Sequence, residues 1–229
     1  MNQLHAEASG LADADASAAS SPLMRLLRLA ASALVVGLLV LLVWALLHSS
    51  RGASFVRQIA DGKRPLAPPF ALAVIWPHSE TWPKSAARGL ADEHLSLRDL
   101  RGHPVVLNFF ASWCVACKQE APLLHAEAQA RAGNVLFLGV DVQDLTGDAQ
   151  GFARRYGINY VAVRDESNAI YNAYGLTGVP ETYFIDARGR AIAHIPGEAT
   201  RTTLDQGMAS ITSPQRGGTL PGGTHVKGP

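Results

Sequence analysis

The sequence predicts an α/β domain behind one apolar N-terminal helix, and three observations predict it. Residues 29–47 run for 19 positions without a charge and are rich in Leu, Val and Ala. Val105 to Ala111 (VVLNFFA) is an apolar run broken only by Asn108, the pattern of a strand buried on both faces. That run leads through Trp113 into Cys114-Val115-Ala116-Cys117 and then into a helical pattern. Once the apolar helix and a polar tail are set aside, roughly 150 residues remain, enough to bury one core.

The elements follow in order. Residues 1–24, Ala-, Ser- and Asp-rich in their first 22 positions, are expected to form a disordered leader. Residues 25–48 form the anchor, whose uncharged stretch 29–47 spans roughly 28 Å at about 1.5 Å per residue and would contact membrane lipid. A cleaved signal peptide would need an unusually long leading region containing Glu7, Asp13 and Asp15. Arg25 and Arg28 precede the span and Arg51, Arg57, Lys63 and Arg64 follow it, so charge alone does not put the domain outside the cytoplasm. Residues 49–65 read as a linker, Phe70 to Trp76 as a strand, and Pro77 to Ala91 as a loop with Trp-Pro steps at Trp76-Pro77 and Trp82-Pro83. After the cysteines a helix is expected up to Gly133, with Pro122 inside it. Val135 to Val140 reads as a second buried strand, Ala149 to Tyr156 as a helix closed by Gly157, and Tyr160 to Arg164 as a short strand. Asn168 to Tyr174 reads as a helix, Glu181 to Asp186 and Ala191 to Ile195 as a hairpin turning at Ala187-Arg188-Gly189, and Arg201 to Ser210 as a last helix. Residues 213–229, rich in Gly and Pro, are expected to be disordered.

Composition removes several classes. With 20 Lys plus Arg against 19 Asp plus Glu, the net charge is +1 and no basic block exists, so no nucleic-acid partner is expected. The chain's two cysteines cannot build a disulfide-dense scaffold or a four-ligand zinc site. His78, His94, His103 and His125 stand singly, without metal-ligand spacing, so neither a metal nor a cofactor is expected.

A strand that ends in Trp-Cys-x-x-Cys and flows into a helix places the first sulfur where unpaired amides and the helix dipole favour a thiolate. Cys114 is therefore the candidate nucleophile, and Cys117, one turn on, the resolving thiol of a redox-active disulfide. The competing reading, a structural disulfide or two inert thiols, is weakened by the strand before the pair and the helix after it.

NFFASWCVACKQEAP at 108–122 resembles the active-site stretch of the thioredoxin superfamily, in particular its membrane-anchored TlpA, ResA and DsbE (CcmG) type members. SLRDLRG at 96–102 and GVPETYFID at 178–186 extend the resemblance over residues 66–212. The resemblance implies a thioredoxin fold, a central mixed β-sheet flanked by helices. It implies a cis-proline at Pro180, and substrate contacts from Trp113, from Pro180 and from the backbone of Val179, which would pair with a bound peptide. Two departures from thioredoxin stand out. Asn108 replaces a buried Asp, leaving Glu120, which matches a family glutamate, as the candidate proton relay. Val115-Ala116 lacks the histidine of a strong oxidant, so a reductant is expected.

Pro180-Glu181-Thr182 resembles the DsbE type, which implies reduction of exported protein disulfides such as those of apocytochrome c. The implied electron donor is a membrane protein of the DsbD or CcdA type. The implied location is the inner (cytoplasmic) membrane, single-pass, with the domain on the periplasmic or extracytoplasmic side, where disulfides persist. A general TlpA or ResA type reductase is the near alternative. A copper-holding module is more distant, since the related Sco type has three residues between its cysteines. Peroxide attack fits the closely spaced pair less well than dithiol exchange does.

Overall fold

The computed structural model describes residues 22–48, 51–87, 90, 93–212 and 218–228. The chain divides into two compact units, residues 1–48 and 49–229. In the first, α1 (Pro22–His48) is a single helix, and its segment Met24–Trp44 is apolar and long enough to cross a bilayer. The expected leader lies outside the described residues up to position 21, and residues 22–24 already belong to α1.

The second unit is built on a mixed sheet whose centre is the predicted strand, β3 (Val105–Phe110), with all six residues buried. Parallel to it lies β4 (Leu136–Val142), which in turn pairs parallel with β5 (Val161–Asp165). On the other side β6 (Glu181–Ile185) runs antiparallel to β3 and forms a hairpin with β7 (Ala191–Pro196). At the hairpin turn Asp186 Oδ1 accepts the amides of Arg188 and Arg190, both at 2.9 Å, and Gly189 takes the positive φ the turn requires. The strand β1 (Ala71–Trp76) lies antiparallel to β5, and β2 (His94–Ser96) edges it. A short strand β8 (Gly218–Thr219) adds parallel to β7, giving the order β2-β1-β5-β4-β3-β6-β7-β8.

Helices cover the sheet: α4 (Val115–Ala130) after β3, α5 (Thr146–Arg155) after β4, α6 (Ala169–Tyr174) after β5 and α7 (Arg201–Thr212) after β7. The start of α6 is held by the buried Asp165, whose carboxylate accepts the amides of Ala169, Ile170 and Tyr171. In the expected loop 77–91 a short helix α3 (Lys84–Ala87) forms. Trp82, buried, donates from Nε1 to Phe137 O at 3.1 Å, and Trp76 donates to Ile158 O at 2.9 Å, so both indoles pack the domain. Ala91 lies outside the described residues.

Two boundaries need correction. The stretch 49–65, read as a linker, contains α2 (Arg51–Ala60), which belongs to the domain. Phe55 and Ile59, four apart and so on one helix face, are buried, and the Phe55 ring sits 5.3 Å from Tyr174 and 5.9 Å from Tyr183. The tail 213–229, read as disordered, is described from Gly218 to Gly228 and lies on the domain as β8 and a bridge from Val226 to Val179. Residues 213–217 lie outside the described part. Because Ile59 fills core space, Ile59→Ala should lower the domain's stability by about 3 kcal/mol. Urea unfolding of the soluble part beginning at residue 49 measures this, and an unchanged midpoint would return α2 to the status of a linker.

Candidate functional site

The chain turns from β3 into α4 over Ala111 to Cys114, and Cys114 is the residue that caps the helix. Its backbone is extended (φ −75°, ψ 117°) and its Sγ accepts the amide of Cys117 at 3.0 Å. A sulfur thus takes the place usually filled by a Ser, Thr or Asp oxygen among the unpaired amides of a helix start. The same amides favour negative charge on that atom when the thiol is reduced. Cys114 and Cys117 are joined by a disulfide with their Cα atoms 5.3 Å apart. Both residues are buried, Cys114 at 0% exposure, while Val115 between them is 61% exposed.

The Asn108 departure and the Glu120 expected to stand in for the missing acid meet in a buried polar contact. Glu120, on α4 one turn past Cys117, is 2% exposed. Its Oε1 accepts Asn108 Nδ2 at 2.7 Å and its Oε2 accepts the Ala199 amide at 2.7 Å. Asn108 Nδ2 also donates to Thr182 Oγ1 at 3.1 Å, across the register that pairs β3 with β6. Burial pushes the Glu120 carboxyl from an ordinary 4.5 up to about 8, against the lowering effect of the Ala199 and Asn108 hydrogen bonds. A carboxyl in that range exchanges protons near neutral pH.

Just before β6, whose Glu181 pairs with Phe109 of β3, the Val179–Pro180 peptide is cis. The loop leading to it is fixed by Glu181, whose Oε1 accepts the Thr177 amide at 3.0 Å and whose Oε2 lies 2.7 Å from His194 Nε2 and accepts the Tyr183 hydroxyl at 3.3 Å. Trp113, half-buried, donates from its indole to Gln143 O at 2.9 Å. Ser112 is clamped by Asp144, whose Oδ1 accepts the Ser112 hydroxyl at 3.0 Å and whose Oδ2 accepts the Ser112 amide. Arg164 bridges the same loop, donating to Asp141 Oδ2 at 2.7 Å and to the Asp144 carbonyl. Burial holds the Asp141 carboxyl up at about 8, with the Asp144 charge adding to the rise and Arg164 opposing it.

Of the residues expected from the sequence, Cys114, Cys117 and Glu120 lie on α4 or at its start and Trp113 just before it, while Val179 and Pro180 precede β6, whose Glu181 pairs with Phe109 near the end of β3. The polar turn after β4, with Gln143, Asp144 and their partner Arg164, was missed as a support of the Trp113 loop. Asp141-Val142-Gln143-Asp144 offers only an acidic run, and the contact spans 32 residues between Ser112 and Asp144.

The sheet order, the Cys-Val-Ala-Cys disulfide at a helix start and the cis-proline before β6 define a thioredoxin-fold protein with a dithiol centre. The AhpC/TSA family model matches residues 78–194, so the chain belongs to that family, and within it the chain is a TlpA/ResA/DsbE-type thiol-disulfide oxidoreductase. The thiol-disulfide oxidoreductase ResA of Geobacillus thermodenitrificans is 33% identical over 116 residues, 50% of this chain and 67% of that protein. ResA of Bacillus anthracis is 28% identical over 133 residues, 57% of this chain and 76% of that protein. Among solved structures, a thioredoxin-family thiol:disulfide interchange protein of Chlorobium tepidum superposes with a TM-score of 0.53 at 23% identity, covering 66% of this chain and 98% of that one. A DsbF homologue of Corynebacterium diphtheriae gives 0.53 at 22% identity, covering 66% and 88%. At these identities the two structures show a shared fold.

The raised Glu120 carboxyl sets a pH dependence with a definite sign. The fold favours the protonated form, so its stability contribution is full below 4.5 and is lost as pH rises towards about 8. The loss is of order 4 kcal/mol at 1.36 kcal/mol per pH unit. Glu120→Gln cannot ionise, but it turns an NH2 towards one of the two donors, so it should be less stable than the parent at pH 5. The gap should narrow at pH 8.5. Urea unfolding at both pH values decides, and a widening gap contradicts the assignment.

Proposed function

We propose that the chain is a membrane-anchored reductant of disulfides in exported proteins. The observation that carries it is the sulfur cap of α4: Cys114 Sγ, aligned with the helix-start amides and bonded to Cys117, is placed for nucleophilic exchange. The Cys114 thiolate attacks one sulfur of the target disulfide and expels the other as a thiolate, forming a mixed disulfide. Cys117 then loses its proton, with the Glu120 carboxylate as acceptor, and attacks Cys114 Sγ. The second target thiol leaves, two electrons have passed to the target, and the Cys114–Cys117 disulfide remains for a membrane donor of the DsbD or CcdA type to reduce.

The target strand pairs with the Val179 backbone beside Pro180, and the Trp113 ring borders it. The domain works on the extracytoplasmic side of the inner membrane, with α1 as its anchor; the apolar length of α1 and the chemistry of a compartment where disulfides persist support this. The Pro180-Glu181-Thr182 sequence favours apocytochrome c as the target.

Two measurements test the reading. The reduction potential, found by equilibration against glutathione and dithiothreitol, should lie nearer thioredoxin's ~ −270 mV than DsbA's ~ −120 mV. A value above about −170 mV on that scale would make the protein an oxidant. With a disulfide-closed Cys-x-x-Cys-His peptide as target, Cys117→Ser should accumulate the mixed disulfide and Cys114→Ser should not. Equal trapping by both variants would refute the assignment of Cys114 as the nucleophile.

A further inference from the structure

The edge at which a target peptide would pair is already occupied. Val179 donates its amide to Val226 O at 2.7 Å and accepts the Val226 amide at 2.7 Å, the reciprocal pair of an antiparallel bridge. Both polar backbone groups of Val179 are thereby used by residues 218–228 of the same chain. The bridge is one point in a continuous seam. Leu220 donates to His194 O at 2.7 Å, Gly223 donates to Glu198 O at 2.8 Å, and Glu198 donates to Thr224 O at 3.0 Å. His225 Nε2 lies 3.1 Å from Glu181 Oε1, beside the cis-proline.

The approach depends on glycine on both sides of the seam. A Cβ on Gly222 would fall 1.9 Å from Pro196 O, and one on Gly178 would fall 2.4 Å from Val226 O. At Gly228 a Cβ would fall 1.7 Å from the side-chain oxygen of Gln143, the residue whose carbonyl holds the Trp113 indole. The segment therefore reaches from the edge of β7, across the cis-proline loop, to the turn that supports Trp113. With it in place Val179 is 1% exposed, and Cys114 is 0% exposed in the same structure.

We propose that residues 218–228 are an internal competitor of the target peptide, closing the dithiol site until an incoming strand displaces them. The inference rests on the reading that targets pair with Val179. The chain's two cysteines are Cys114 and Cys117, so the segment offers the backbone pairing of a target with no sulfur to attack. It can occupy the site through any number of turnovers without being consumed. Substrate choice follows from this arrangement: a target must present an extended segment able to replace the pairing, and folded proteins without one are excluded.

The test compares three detergent-solubilised proteins: the full chain, the chain ending at Thr212, and the full chain with Val226→Pro, which removes the amide that donates to Val179. Each is reduced, and two rates are read, alkylation of Cys114 by iodoacetamide and exchange with a disulfide-closed Cys-x-x-Cys-His peptide. Both altered proteins should react about tenfold faster or more, as expected when a mostly closed state is opened. The synthetic peptide GTLPGGTHVKG, matching 218–228, should slow the truncated chain again, in competition with the target. Equal rates for all three proteins would overturn the closure while leaving the oxidoreductase reading in place. Protection that grows with protein concentration would also overturn it, since the segment would then come from a second copy. If the truncated chain alkylates faster but exchanges no disulfide, the target-pairing reading falls and the inference with it.

Discussion

The unpaired amides at the start of α4 are the constraint on which the site depends. The first N–H groups of a helix have no intrahelical partner, and at a buried position such as that of Cys117 the acceptor comes from the chain itself. Here it is Cys114 Sγ. The cap and the proposed nucleophile are the same atom, so the geometry that lets the helix start also sets the electrostatics of the sulfur. The rest of the site is arranged around that junction: β3 fixes where it emerges, Asp144 and Gln143 hold the Ser112-Trp113 approach, and β6, paired with β3, carries the cis-proline at its start.

Much of this was legible from local pattern. The central strand is apolar at every position but one, the Cys-x-x-Cys pair sits at a change from strand to helix periodicity, and the hairpin β6–β7 has a turn of Ala-Arg-Gly between two apolar runs. Elements of this kind announce themselves because their stabilising contacts are short in sequence or repeat along one face. The helix α2 did not, because its buried face consists of little more than Phe55 and Ile59 within a polar, basic stretch. What stabilises it is tertiary, the Tyr174 and Tyr183 rings contributed from more than a hundred residues away.

The tail failed for a different reason. Gly- and Pro-rich composition is a sound signal for a chain that cannot build its own core, but it is equally what a strand needs to lie tightly against another backbone. Gly222 meets the Pro196 carbonyl at a distance no side chain would allow. Edge strands are open to pairing with whatever extended chain comes near, and in this fold the β7 edge and the Val179 backbone are covered from within. A composition-based reading sees the lack of apolar residues and has no access to the facing surface.

Asn108 has one more consequence. Had an acid stood there, it would lie 2.7 Å from Glu120 Oε1, and two carboxyl groups at that separation share a single proton and titrate as a coupled dyad with two apparent values far apart. An amide at the same place is a permanent donor with no charge to vary. Of the Asn108–Glu120 pair only Glu120 titrates, so it shares no proton with its amide partner.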